Sequence, residues 1–379
     1  MAYSKGFAGR CGIAKNTKTT WADIITTPED PTDLVPLLSE TMIDDYERIK
    51  NEQLYGGAGE LEDAQGVQPI TGDIQVEVHY DTKATSGETV RYWGTDIWFA
   101  LAMGSVAFDN TNSYNKLTLA DTLDDLSGAP VAATFAINKQ VSTTPWQFNG
   151  VYLKGFTLTG NAKENIKATF PCIAYDCDRT AGATTETELN TLYDTVSVAP
   201  PKKVLFSDLV FRIGDDTDAL GDADKLGINS FTFTFDRVLT DPEFSTPDYG
   251  THTSPRNTIE PVVNGLRVVT LSITLPRYKA DSFFTWRDND EKLQCDLIFT
   301  ESSGDTIKNF NLLIPTLKVT SVSAPISGSG VVPVTVNFNV FLKHPDNTFM
   351  KFTDGTAITK EFAIEVRNKQ NGRTAVIWS

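Results

Sequence analysis

The sequence predicts a mainly β (α+β) fold: two antiparallel β-sandwich or barrel domains, each with a flanking helix, preceded by an extended N-terminal arm. Three observations carry this. Apolar and polar residues alternate in many short runs, such as Ile74, Val76, Val78 and Tyr80, the period of a strand with one buried face. Two stretches with helical spacing interrupt those runs, one in each half, as in an α+β arrangement. The 379 residues, 40% apolar and 22% charged, suffice for two cores of ordinary size.

Residues 1–70 read as the arm, because turn formers are dense there, as in Thr26-Thr27-Pro28-Glu29-Asp30-Pro31 and Tyr55-Gly56-Gly57-Ala58-Gly59. One short helix is predicted over 42–53, where Asp44, Asp45, Glu47, Arg48 and Lys50 crowd together. Such an arm orders only on a partner surface, so removing residues 1–60 is expected to leave a folded subunit that cannot stack.

Residues 71–213 read as the first β domain, with strands after residue 74 and at 117–120, 131–138, 151–159, 166–175 and 204–213. Within it, Ile97, Trp98, Leu101 and Ala102 fall at helical spacing; Thr95 or Asp96 caps the start and Gly104 ends it. Residues 214–225 read as an acidic linker with five aspartates; their spacing is not that of an EF-hand, and no bidentate Glu follows.

Residues 226–345 read as the second β domain. Phe231, Phe233 and Phe235 alternate with threonines, and Val269, Leu271, Ile273 and Leu275 repeat the pattern before Pro276 stops it. A short aromatic helix is predicted at 282–286, and strands at 293–300, 310–314, 317–322 and 331–341. Residues 346–379 form a C-terminal extension with one alternating run at 357–367. Gly155-Phe156-Thr157-Leu158-Thr159 echoes Ser230-Phe231-Thr232-Phe233-Thr234, which points to duplication of one unit.

Charge and chemistry narrow the function. The formal net charge is −16, and the only basic features are short pairs, Lys202-Lys203 and Lys15 with Lys18, so tight nucleic-acid binding is not expected. No run of about 18 apolar residues is present, so no membrane span is expected. The start, Met1 to Arg10, lacks the apolar stretch of a secretory signal.

Four cysteines make no disulfide framework; Cys172 and Cys177 are the one close pair, with Cys172 read as a buried apolar residue. His79, His252 and His344 are scattered, His79 in the outward phase of its strand and His344 in a turn. Ser327-Gly328-Ser329-Gly330 joins two strands and leads into no helix, so it is a loop, not a phosphate cradle. Glu77, Asp96, Asp176 and Asp296 are carboxylate candidates by type alone among 49 acids. Trp93, Trp98, Trp146 and Trp286 are candidates for a sugar platform, with Trp146 the one whose exposure is open. No catalytic, cofactor-binding or metal-ligating residue is assigned, and the protein is expected not to be an enzyme.

One family carries these segments in this order. They are Pro31-Thr32-Asp33-Leu34-Val35-Pro36, Thr71-Gly72-Asp73, Leu117-Thr118-Leu119-Ala120-Asp121 and Phe135-Ala136-Ile137-Asn138-Lys139. Phe148-Asn149-Gly150-Val151-Tyr152-Leu153-Lys154-Gly155-Phe156 follows as a strand pair around a short turn. The second half continues with Ile228-Asn229-Ser230-Phe231, Asn311-Leu312-Leu313-Ile314-Pro315 and Val331-Val332-Pro333-Val334. To about residue 345 the chain resembles phage tail tube proteins of the long, two-domain type.

The resemblance implies a structural virion protein, made in the host bacterial cytoplasm. Its copies stack as rings around a lumen, contact other tail proteins, and let DNA pass without specific binding. Two tube units per chain imply trimeric rings with a pseudo-sixfold pore. The rival reading is a tail-tip or surface carbohydrate-binding (adhesin) β-sandwich.

Overall fold

The computed structural model describes residues 10–51, 62–80, 95–109, 114–124, 129–139, 144–179, 187–189, 191, 202–245, 257–277, 281–303, 306–326 and 332–368. It is mostly strand. The first half holds β1 (Arg10–Lys15), β2 (Asp33–Val35), β3 (Ser39–Glu40), β4 (Arg48–Ile49), β5 (Ala64–Gln65), β6 (Ile70–Glu77), β7 (Gly104–Asp109), β8 (Tyr114–Leu119), β9 (Ala133–Asn138) and β10 (Trp146–Leu153). Then follow β11 (Gly155–Asn161), β12 (Lys167–Ala174), β13 (Asp176–Asp178), β14 (Leu209–Asp215), β15 (Ser230–Asp236), β16 (Val268–Leu275), β17 (Leu293–Ser303), β18 (Thr306–Ser323), β19 (Val334–Val340) and β20 (Ala363–Asn368). Helices include α1 (Trp21–Thr26), α2 (Asp96–Met103) and α3 (Ser282–Asp288). Apart from the small β4–β5 pair, the strands join in one network of antiparallel ladders.

The two halves meet edge to edge. β11 pairs with β15 through seven residues, from Gly155 opposite Asp236 to Asn161 opposite Ser230. The echoing segments are therefore neighbours, with the Thr157 and Thr234 hydroxyls 3.5 Å apart. The core is shared as well: Phe99 packs on Phe156 (5.0 Å between ring centres) and Phe310 (5.5 Å), and Phe233 on Phe362 (4.9 Å). Each buried Phe contributes about 1.5–3 kcal/mol, and aromatic pairing about 0.5–1.5 kcal/mol more.

Several expectations need correction. The first segment of the arm is core: β1 lies between β2 and β9, with Cys11 and Ile13 fully buried. No helix forms over 42–51. Ile43 bridges Thr71, the Glu47 N–H donates to Val67 O, and β4 pairs with β5. A segment this charged has too few apolar side chains to bury a helix face, whereas bridging to strands satisfies its backbone. Gln53 and 55–59 lie outside the described residues.

Helix α2 is not peripheral, since all eight of its residues are buried; Gly104 ends it with φ +85°. The stretch 151–159 is two strands that turn at Lys154 and Gly155. The strands expected at 310–314 and 317–322 are one, β18. The ladder with β17 shifts register opposite Pro315, so the missing proline N–H falls at a bulge. The run 357–367 becomes strand only from Ala363, where β20 inserts between β8 and β18.

His79 is buried, contrary to its outward phase. Its N–H donates to Thr95 Oγ1 (3.0 Å), and that hydroxyl donates back to His79 O (3.3 Å), so the start of α2 covers it.

Candidate assembly surface

Segment 38–49 lies along the outside of the first half. Leu38 N–H and Thr41 N–H donate to Gln75 O and Asp73 O, extending the short β3–β6 pairing. Two cations fasten the segment from outside. Lys139 Nζ lies 2.9 Å from Glu40 and Arg179 pairs with Asp44, while both sit over the ring of Trp146, at 4.0 and 4.3 Å from its centre. Trp146, read from sequence as a sugar-platform candidate, is thus a half-buried clasp between distant cations and the arm.

A cation–π contact is worth about 0.5–2 kcal/mol depending on its desolvation. Trp146→Ala is expected to loosen residues 38–49 without unfolding the core. Hydrogen exchange at Thr41 and Ile43 should rise at least tenfold, with the thermal midpoint falling by only a few degrees. Unchanged exchange there would refute the clasp. The segment's outer face carries Leu38, Ile43, Tyr46 and Ile49, all exposed.

The sheet has a usable edge. Among the described residues β7 makes one ladder, with β8. The edge of β14 is covered by the acidic loop, because Arg212 bridges Lys225 and Leu226 N–H donates to Phe211 O at 2.9 Å. Residues 214–225 therefore fold back on their own strand rather than trailing between domains, which is how native proteins blunt an edge. Their aspartates cap backbone locally: Asp224 accepts from Gly221 N–H (2.7 Å) and Asp215 from Thr217 N–H (3.0 Å).

The remaining candidates are dispersed, and each carboxylate has its own surroundings. Glu77 accepts from Asn165 (2.9 Å) and pairs with Lys203; Asp96 accepts from Asn115 (3.1 Å); Asp296 pairs with Arg212; Asp176 is held up in pKa by burial. Among the described residues no three His, Cys, Asp or Glu gather as a metal site. Cys11, Cys172 and Cys295 are buried, and burial pushes the Cys177 thiol up to about 12. His344 Nε2 lies 2.7 Å from Lys292 Nζ in a half-buried turn. Trp98 is buried and Trp286 packs on Phe283 at 5.2 Å; Trp93, His252 and 327–330 lie outside the described residues.

Burial raises the carboxyls of Asp176, Glu260 and Glu365, whereas hydrogen bonds from Thr17 and Lys360 lower those of Glu29 and Asp121. The raised groups stabilise the fold when protonated, and that contribution is lost as pH climbs above the ordinary carboxylate range. The lowered groups stabilise it when ionised and lose that contribution as pH falls below the same range. Monomer stability is therefore expected to be highest within the ordinary carboxylate range and to fall off on either side of it. Thermal melts from pH 3.5 to 8 check this; a midpoint still climbing at pH 8 would contradict it.

No helix of the described residues is long and apolar enough to cross a membrane. A family model described as phage tail tube protein matches residues 12–340. No curated protein matches the chain.

Proposed function

Because the chain belongs to the phage tail tube protein family, we propose that it polymerises as stacked rings around a lumen through which the genome leaves the virion. Membership makes it a structural protein of the virion tail, and implies self-association and contact with other tail proteins. The β11–β15 ladder carries the rest of the proposal. It joins two echoing strands side by side, as neighbouring units around a ring would be joined, so one chain supplies two tube units. Three chains then complete a pseudo-sixfold ring. The β7 edge is where the next chain pairs, continuing the sheet around the pore.

The net charge of −16 supports the conduit role, since an acidic wall repels DNA phosphates and holds none of them. No catalytic step is assigned to any residue. Native mass spectrometry of a single ring tests the stoichiometry. Three chains of 41.6 kDa are expected; a six-chain ring would overturn the two-unit reading.

A further inference from the structure

Four neighbouring strands carry a row of polar side chains across one face of the sheet. Arg212 on β14 stands opposite Asp296 on β17. Ile298, two residues on, stands opposite Asn311 on β18, and Asn311 stands opposite Glu365 on β20. Residues that are opposite one another, or two apart on one strand, share a face, so the row is continuous. Residues from 219–220 and 349–353 complete a cavity of about 200 Å³ over this row. Its floor is buried, with Asp296 3%, Asn311 5% and Glu365 1% exposed, whereas Phe349 and Lys351 are exposed at its rim.

Two features of the floor are incomplete. Asn311 Nδ2 donates to Glu365 Oε2 (3.1 Å), but Asn311 Oδ1 has no hydrogen-bond partner among the described residues. Native proteins rarely leave a buried amide oxygen unsatisfied. Glu365 is a buried carboxylate without a counterion. It accepts from Thr353 N–H (3.0 Å), Thr353 Oγ1 (2.8 Å) and Asn311 Nδ2, all neutral donors, and forms no ion pair among the described residues. Burial raises its carboxyl against the pull of those bonds. The other charges on the cavity wall leave this one uncompensated. Arg212 is spent on Asp296, through Nε and Nη2, and on Leu220 O, so that pair is neutral as a unit. Lys351 stands out at the rim.

The missing partner therefore brings a positive charge and hydrogen-bond donors to the floor. The rest of it meets Leu220, Ile298, Leu313, Phe349 and Met350, which are apolar. A cavity of about 150 Å³ holds a guest the size of benzene, so the space suits a short hydrocarbon chain better than a bare ion. A metal ion would also want more oxygen ligands, and no three His, Cys, Asp or Glu gather among the described residues. We infer that this cavity is a binding site for a short aliphatic ammonium ion, its charged end on the Glu365 carboxylate and Asn311 Oδ1 and its chain against Ile298, Leu313 and Met350.

Equilibrium dialysis of the full-length protein against radiolabelled n-butylammonium tests this, and it reads free and assembled chains alike. Saturation at one probe per chain is expected, over the unsaturable background that a net charge of −16 gathers. An excess of n-butanol, which offers the chain without the charge, should leave the probe in place. Ala219→Trp, at an exposed position on the cavity wall, should fill the space and abolish the saturable component. Glu365→Gln keeps the size of the side chain and one acceptor oxygen, and should weaken binding roughly tenfold or more while the melt stays cooperative. If that variant fails to fold, Ala219→Trp alone decides. Absence of saturable binding to the wild-type chain, undiminished binding by either folded variant, or displacement by n-butanol or by an equal concentration of sodium overturns the site.

Discussion

Deleting residues 1–35 is expected to abolish folding, and not only assembly. β1 fills the space between β2 and β9, pairing from Arg10 to Lys15 with Asn138 to Ala133. Behind it, Trp21 packs 5.7 Å from Tyr152 and 5.8 Å from Tyr175. The deletion removes Cys11, Ile13, Ala14, Trp21, Ile24, Leu34 and Val35, all buried. At about 1.5–3 kcal/mol for each large side chain, the loss is on the order of 10 kcal/mol, comparable with the whole stability of a domain. It also bares the edge of β9 with Phe135 behind it, an invitation to aggregate. The truncated chain should be insoluble, or show no cooperative melt and no near-UV circular dichroism. A cooperative melt near the wild-type midpoint would mean that the segment is a detachable arm after all.

Gly155→Ala is expected to destabilise the subunit by about 3–5 kcal/mol, combining backbone strain with overpacking. Gly155 has φ +151°, and an added Cβ would sit 2.0 Å from Phe235 O, on the strand that joins the halves. Backbone on a paired strand has nowhere to move without breaking the β11–β15 ladder. Gly355→Ala is the control. Its φ is +84° but nothing lies within 4 Å of the added atom, so only the conformational cost of about 1–2 kcal/mol applies. Urea unfolding of both variants separates the two contributions. Equal losses would show that the close approach at Gly155 relaxes freely.

The strands were legible where one face is wet. β15 and β16 alternate strictly between buried and less buried residues, as β6 does from Ile74 on, and the sequence alternates with them. Where burial is two-sided the pattern fades. β1 reads Arg-Cys-Gly-Ile-Ala-Lys, too short and too small to announce a core strand, and its burial comes from partners 20 and more than 100 residues away. Helical spacing placed α2, but spacing cannot distinguish a helix on a sheet from one inside it. Trp98 and Phe99, on successive faces, are both fully buried.

The assembly surface was the least legible part. The clasp draws on Glu40, Asp44, Lys139, Trp146 and Arg179, which share no local pattern. Unpaired isoleucines and leucines in a polar loop, such as Ile43 and Leu266, are the one signal the sequence offers. Single exposed apolar residues are too common for that signal to stand alone.

Negative-stain electron microscopy of the purified full-length protein over a range of concentrations tests whether this chain builds a tube. Hollow, unbranched tubes with a regular axial repeat are expected, growing longer as concentration rises. Particles that remain monomers or single rings at every concentration would contradict it.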